Sequence, residues 1–463
     1  MPLRKYFGDR RFYRTALAVA LPIMIQNGIT NFVGMLDNIM VGRVGTVEMT
    51  GVSIANTLLF VFNLAIFGAV SGAGIFGAQF FGKGDMDGVR YSFRFKLLEC
   101  AAILVLGITV FLCFGQRLLE LYLRGEGETE HIEESLRWGL SYLRIMLLGL
   151  PAFVLAQCYA GTLRESGQTV QPMTAGLIAV GVNFVCNWLL IFGKLGLPRM
   201  GSDGAALATV ISRYVEAAIV MIWAHRSPNR FPFLRGAWRS LRMPARLAGQ
   251  IAKRGAPLIL NETLWALGQA LLLQCYSIRS YDVVSATNIS FTLGNVCNVA
   301  FIAMGAAIGI LVGQLLGAGK IEEAKDTDRK LIVFTELLCV FFGLVMAALS
   351  HVFPQIYKTE QTVRSLASSF ILISAILMPV NAYSNAAYFT LRSGGKTFIT
   401  FLFDSVFSCV IVAPTAYLLS RFTALPILWL FLCCQSLELI KAAVGFFMIR
   451  SGVWIQNIVK DDF

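Results

Sequence analysis

Charge is scarce in this chain of 463 residues: Asp, Glu, Lys and Arg make up only 14%, where soluble domains carry about a quarter. Histidine is scarcer still, with His131, His225 and His351 all expected in loops, so no HExxH or other zinc constellation exists. None of the ten cysteines forms a CxxC pair, and nearly all fall inside apolar runs. They read as small buried hydrophobes, which excludes a disulfide scaffold or a thiolate metal site. RSGGKT (392–397) ends like a phosphate-binding loop, but Thr390 stands where the earlier glycine is required, so no nucleotide site follows. GKGD (82–85) resembles an intramembrane aspartyl protease motif, yet it lies between apolar runs with no matching aspartate within one. An enzyme is not expected.

What the chain has is apolar length. Hydrophobic residues make up 56%, with 35 Phe and 42 Gly, and the mean hydropathy is +0.68. Small residues at this frequency let membrane helices approach closely. Windows of about 20 apolar residues mark transmembrane helices. Twelve are expected, at 15–40, 51–81, 97–116, 137–163, 170–193, 203–224, 255–278, 284–317, 331–350, 365–391, 398–419 and 426–449. The first is too long for a cleavable signal and no small-residue cleavage site follows it. The fold class is an all-α membrane protein in contact with the lipid bilayer.

Basic residues set the orientation. With both ends cytoplasmic, 26 of the 39 Lys and Arg fall on that side and 10 on the other, while Arg144, Arg213 and Lys441 lie within spans. The net charge of +12 is therefore a topology signal, and no nucleic-acid partner is expected. The expected location is the cytoplasmic membrane, and short tails and loops suggest a bacterium.

Residues 225–254 form the only long polar connection, with eight basic residues and no acid. It divides the chain into six spans (1–224), a cytoplasmic linker and six more (255–463), and the halves align. A shift of 235 places PIMIQNGITNFVG on PLILNETLWALGQ and GAGIFGAQFFGKG on AIGILVGQLLGAG. Pro22 then meets Pro257, Gln79 meets Gln314, and Gly82 meets Gly317. A shift of 228 aligns GTLRESGQT (161–169) with FTLRSGGKT (389–397), and Arg213 with Lys441. One duplication built two six-helix bundles of the same topology, the parallel kind of repeat found in transporters that rock one half against the other.

Against that background a few polar residues inside spans need a reason. NFVGMLDNIMVGRVG (31–45) carries Asp37 in an otherwise uncharged run from Thr15 to Met40. A charge at mid-bilayer costs about 2.5–3.5 kcal/mol on insertion scales, which marks a functional position. Thr30 and Gln26, seven and eleven residues earlier, fall on the same helical face, and Pro22 loosens that helix by removing a backbone donor. Asn183 and Asn187 share a face of helix 5, and Thr209 lies on helix 6. Helix 7 offers Glu262, at the repeat position of Asn27, with Trp265 one turn on for stacking against a cation or for packing. Asn381, Asn385 and Asp404 form the polar set of the second half. Arg213 with Glu216 and Glu438 with Lys441 read as neutralising i,i+3 pairs. The LRxxGxT motifs read as architectural, their Gly stopping a helix and their Arg facing the cytoplasm.

The twelve spans in two sixes, Pro22 before Asp37, DNIMVG, the paired LRESGQT and LRSGGKT motifs, NETLWALG and GVWIQNI together resemble a bacterial branch of the multidrug and toxic compound extrusion (MATE) family. The resemblance implies a V-shaped pair of bundles exporting small organic cations in exchange for H⁺ or Na⁺, as a monomer with no further cofactor. It also implies that Asn183, Asn187 and Thr209 form a cation site with Asp37. That site would ligate metal only if the ion is Na⁺. Many members have Asp where this chain has Asn187, and one carboxylate with two amides and a hydroxyl is a thin Na⁺ cage, which favours H⁺. Gln26, Asn27, Thr30, Glu262, Trp265, Asn381, Asn385 and Asp404 are the expected substrate-side residues. Structural interhelical bonds are the alternative for the Asn pair, and local hydrogen bonding for Glu262. A related flippase for lipid-linked oligosaccharides, or a non-transporting scaffold, are the rival functions.

Overall fold

The computed structural model describes residues 5–42, 45–123, 129–227, 229–357 and 359–460. Within them the long elements are all helices: α1 (Arg10–Gly42), α2 (Thr46–Lys83), α3 (Met86–Leu123), α4 (Thr129–Glu165), α5 (Val170–Phe192), α6 (Gly201–Arg226), α7 (Ala245–Ser277), α8 (Tyr281–Gly317), α9 (Ile321–Leu349) and α10 (Gln361–Ser393). These are followed by α11 (Thr397–Phe401), α12 (Ala413–Phe422), α13 (Ile427–Ser436) and α14 (Glu438–Ser451). Residues Thr397–Phe422 make one span and Ile427–Ser451 another, so that with α2 to α10 eleven described helices are long and apolar enough to cross a membrane. The 33-residue α1 contains the expected first span.

The helices outrun the apolar windows at both ends. α3 has 38 residues, about 57 Å at 1.5 Å per residue, whereas a bilayer core is about 30 Å thick. Hydropathy finds the part in hydrocarbon, and the helix continues into water. His225 accordingly lies in the last turn of α6, and residue 131 falls within α4. The expectation that both sit in loops is corrected by these longer helices.

The chain packs as two compact units. One comprises Met1–Met24, Ala78–Asp85 and Ala252–Phe463; the other comprises Ile25–Gly77 and Met86–Ile251. The division passes through α1, α2 and α7. In the first unit, Ala16, Val19, Ala20 and Ile23 of α1 join Ala303, Met304 and Ala307 of α8 in a buried apolar cluster. The second unit is held by small-residue contacts, such as Gly204 of α6 against the backbone of Leu190 in α5.

Both LRxxGxT motifs close a helix as expected. Gly167 follows α4 with φ +78°, and its repeat counterpart Gly395 follows α10 with φ +74°, a conformation that side chains with a β-carbon rarely adopt. The cysteines follow expectation less completely. Six are buried, but Cys113 and Cys433 are exposed, because an apolar run in a membrane helix includes faces turned away from protein.

Candidate functional site

In the second unit, Asn183 and Asn187 lie one turn apart on α5, both buried. Asn187 Nδ2 donates to Asn183 Oδ1 at 3.1 Å, and Asn183 Nδ2 donates to Thr209 Oγ1 at 3.3 Å. The Thr209 hydroxyl donates in turn to the Ala205 carbonyl at 3.0 Å. The result is a row of neutral polar groups from α5 to α6. Thr209 also lines a small pocket of about 40 Å³ with Asn63, Phe153 and Arg213. The Arg213 guanidinium is spent locally, 2.9 Å from Glu216 and 5.2 Å from the centre of the Phe153 ring.

On α1, Gln26 Oε1 accepts a 2.7 Å hydrogen bond from Arg164 Nη2. The motif arginine, expected only to face the cytoplasm, is therefore also a hydrogen-bond donor to α1. Gly176 of α5 makes room for Gln26, since a β-carbon there would lie 2.9 Å from its amide nitrogen. Asn27 is half-buried and Thr30 exposed. Asp37 falls within α1, but its side chain lies outside the described residues.

A buried ion pair sits beside this group that sequence reasoning missed. Lys96, which immediately precedes the expected span 97–116 and so reads as part of a cytoplasmic loop, is fully buried in α3. Its Nζ lies 2.7 Å from Glu165 Oε1 and 2.9 Å from Thr162 Oγ1. The assignment fails because a lysine at the edge of an apolar window counts equally as loop or helix until its partner is known. The signal was the glutamate inside LRESGQT. In the first unit the repeat counterpart of Thr162, Thr390, donates to buried Asp328 at 2.6 Å, so the same position serves opposite charges in the two halves.

The first unit holds the larger polar network. Asp404 Oδ1 lies 2.7 Å from Lys441 Nζ, and its Oδ2 accepts from Asn261 Nδ2 at 3.1 Å. Glu438 lies 3.5 Å from the same ammonium. Ser405 Oγ donates to the Asn261 side chain at 2.8 Å. The Tyr388 hydroxyl, on α10, donates to Glu262 Oε1 at 3.4 Å and accepts from Asn261 at 3.4 Å. Asp404 and Ser405 lie in a π-helical stretch, Leu402–Val406, with a second at Ser408–Val412. Pro414 in the first turn of α12 lacks a donor and crowds the carbonyl four residues back, which favours such widening. Asn381 and Asn385 are half-buried, and Trp265 is 37% exposed. Asn261 and Tyr388 were not expected, although Asn261 is the repeat counterpart of Gln26.

The profile of the MatE family matches residues 22–189 and 257–418, one stretch in each repeat. The chain belongs to the MatE family. As a MatE protein it is a multi-pass membrane transporter and not an enzyme. Among curated MatE relatives, the "Probable multidrug resistance protein NorM" of Thermotoga maritima is 22% identical over 96% of this chain and 93% of its own length. A protein of the same name from Pasteurella multocida is 25% identical over 96% and 90%. The outward-facing structure of a multidrug resistance MATE family transporter superposes with a TM-score of 0.85 at 17% identity, over 97% of both chains. The MatE fold expected from the sequence is thus present.

Proposed function

We propose that the protein is a secondary active multidrug efflux transporter that exports small organic cations by antiport with H⁺, alternating access between its two repeats. Relatives named as multidrug resistance proteins along nearly the whole chain support the efflux class. The observation that carries the cation reading is the pairing of three basic side chains within the membrane helices, while buried Arg94 is taken up by backbone carbonyls and buried Arg392 lies over the rings of Tyr388 and Phe389. Lys96, Arg213 and Lys441 are each ion-paired, with Glu165, Glu216 and Asp404. A flippase for large anionic lipid-linked head groups needs free positive charge instead.

Asp37 is the coupling acid in this reading, with Asn183, Asn187 and Thr209 as its partners. Proton loading and drug binding exclude one another there, because an antiporter works only through differential binding to its states. H⁺ is favoured over Na⁺ because a second carboxylate is missing at Asn187, and hard cations prefer charged oxygens. Glu262 and Trp265 serve the substrate side. The protein acts as a monomer in the cytoplasmic membrane, with both ends and the linker inside. Reconstituted proteoliposomes decide the ion. Export driven by a pH gradient without Na⁺ is expected, whereas export driven by a Na⁺ gradient at equal pH overturns the choice of H⁺.

A further inference from the structure

The connection between α6 and α7 is held down rather than loose. Arg94 of α3, 8% exposed, donates to three of its carbonyls: Gly236 at 2.9 Å, Ala237 at 3.1 Å and Arg242 at 2.9 Å. Arg90 donates to Phe233 at 3.1 Å and Pro232 at 3.4 Å. Phe231, Phe233, Leu234 and Ala237 are buried beneath. The Trp238 indole donates to the Tyr159 hydroxyl at 2.7 Å while the residue stays 48% exposed, beside Leu241 at 41%. Arg235, Arg239, Arg242 and Arg246 are exposed. The segment 225–254 contains no acid to neutralise them.

This surface lies within 20 residues of the membrane helix on either side, so its charges sit close to head groups. Electrostatic attraction to anionic leaflets acts within about a Debye length, about 10 Å at 0.1 M salt. Tryptophan rings favour that interface, and with its N–H already held by Tyr159 Trp238 presents an exposed ring. Arg90 and Arg94 of α3 fix the backbone of this platform, so Arg235, which also donates to Asn229, and Arg239, Arg242 and Arg246 are presented without a further cost of ordering the backbone. We propose that this connection, with the first turn of α7, is a binding surface for anionic phospholipid head groups, with Arg235, Arg239, Arg242 and Arg246 contacting phosphates and Trp238 and Leu241 seated among the upper acyl carbons. The surface is separate from the transport site and does not depend on the coupling ion.

The test uses the full-length protein in neutral detergent, with phosphatidylglycerol, phosphatidylcholine or inorganic phosphate added, read by native mass spectrometry and thermal unfolding. Phosphatidylglycerol is expected to be retained and to raise the unfolding temperature, and high salt to weaken both. Replacing all four arginines by Gln should weaken retention at least roughly tenfold, given the energy of each basic residue near an anionic surface. A parallel set of four Arg→Lys replacements should keep it, and serves if the Gln set does not fold. Equal retention of phosphatidylcholine by the wild type overturns the proposal. So does an equal effect of inorganic phosphate, undiminished phosphatidylglycerol binding by the folded Gln set, or lost binding in a folded Lys set.

Discussion

Lys441 clamps Asp404: its ammonium lies 2.7 Å from one carboxylate oxygen, while Asn261 donates to the other. The two side chains are 9% and 17% exposed, and removing one partner of a buried pair costs about 3–5 kcal/mol, whereas replacing both by apolar groups can be nearly neutral. Lys441→Met should therefore lower the unfolding temperature in detergent more than Lys441→Met combined with Asp404→Leu. A single variant as stable as wild type would remove the clamp.

Gly82 and Gly317 are repeat counterparts and pack reciprocally. A β-carbon on Gly82 would overlap the carbonyl of Gln314, and one on Gly317 that of Gln79. Backbone cannot rotate away as a side chain can, so Gly82→Ala and Gly317→Ala should each cost roughly 1–3 kcal/mol or more. Gly249→Ala, with nothing within 4 Å, is the tolerated control in the same thermal assay.

Asp37→Asn mimics a permanently protonated acid. The variant is expected to fold and bind drug weakly, yet fail to export it against a gradient. Efflux is measured on protein whose unfolding temperature and monodispersity match wild type. Pumping at the wild-type rate would show that coupling lies elsewhere.

Asn187→Asp adds a second carboxylate beside Asn183 and Thr209. Na⁺ binding and Na⁺-driven export should appear or rise, since charged oxygens strengthen a hard-cation site. Isothermal titration with Na⁺ and flux in a Na⁺ gradient check it, and an unchanged ion preference counts against a cation site on α5.

Cysteine at position 235 of a Cys-free variant should react with a membrane-impermeant reagent only when the cytoplasmic face is opened. Labelling from outside intact cells would invert the topology.

Hydropathy and the repeat spacing were enough for the spans, while the resemblance to this family rested on motifs such as DNIMVG, LRESGQT and LRSGGKT. A bilayer imposes a one-dimensional condition on the chain: about 20 apolar residues per crossing. The acids and amides standing out from that background, Asp37, Asn183, Glu262 and Asp404, were legible for the same reason. Partnership was not. Asn261 meets Tyr388 across 127 positions, Lys96 meets Glu165 across 69, and Arg164 meets Gln26 across 138. Helical periodicity says which face a residue shares with its near neighbours, but not which other helix lies against that face. Only the packing of the helices decided that Asp404 is neutralised by Lys441, while Asn183 meets Thr209 and Asn187 meets Asn183.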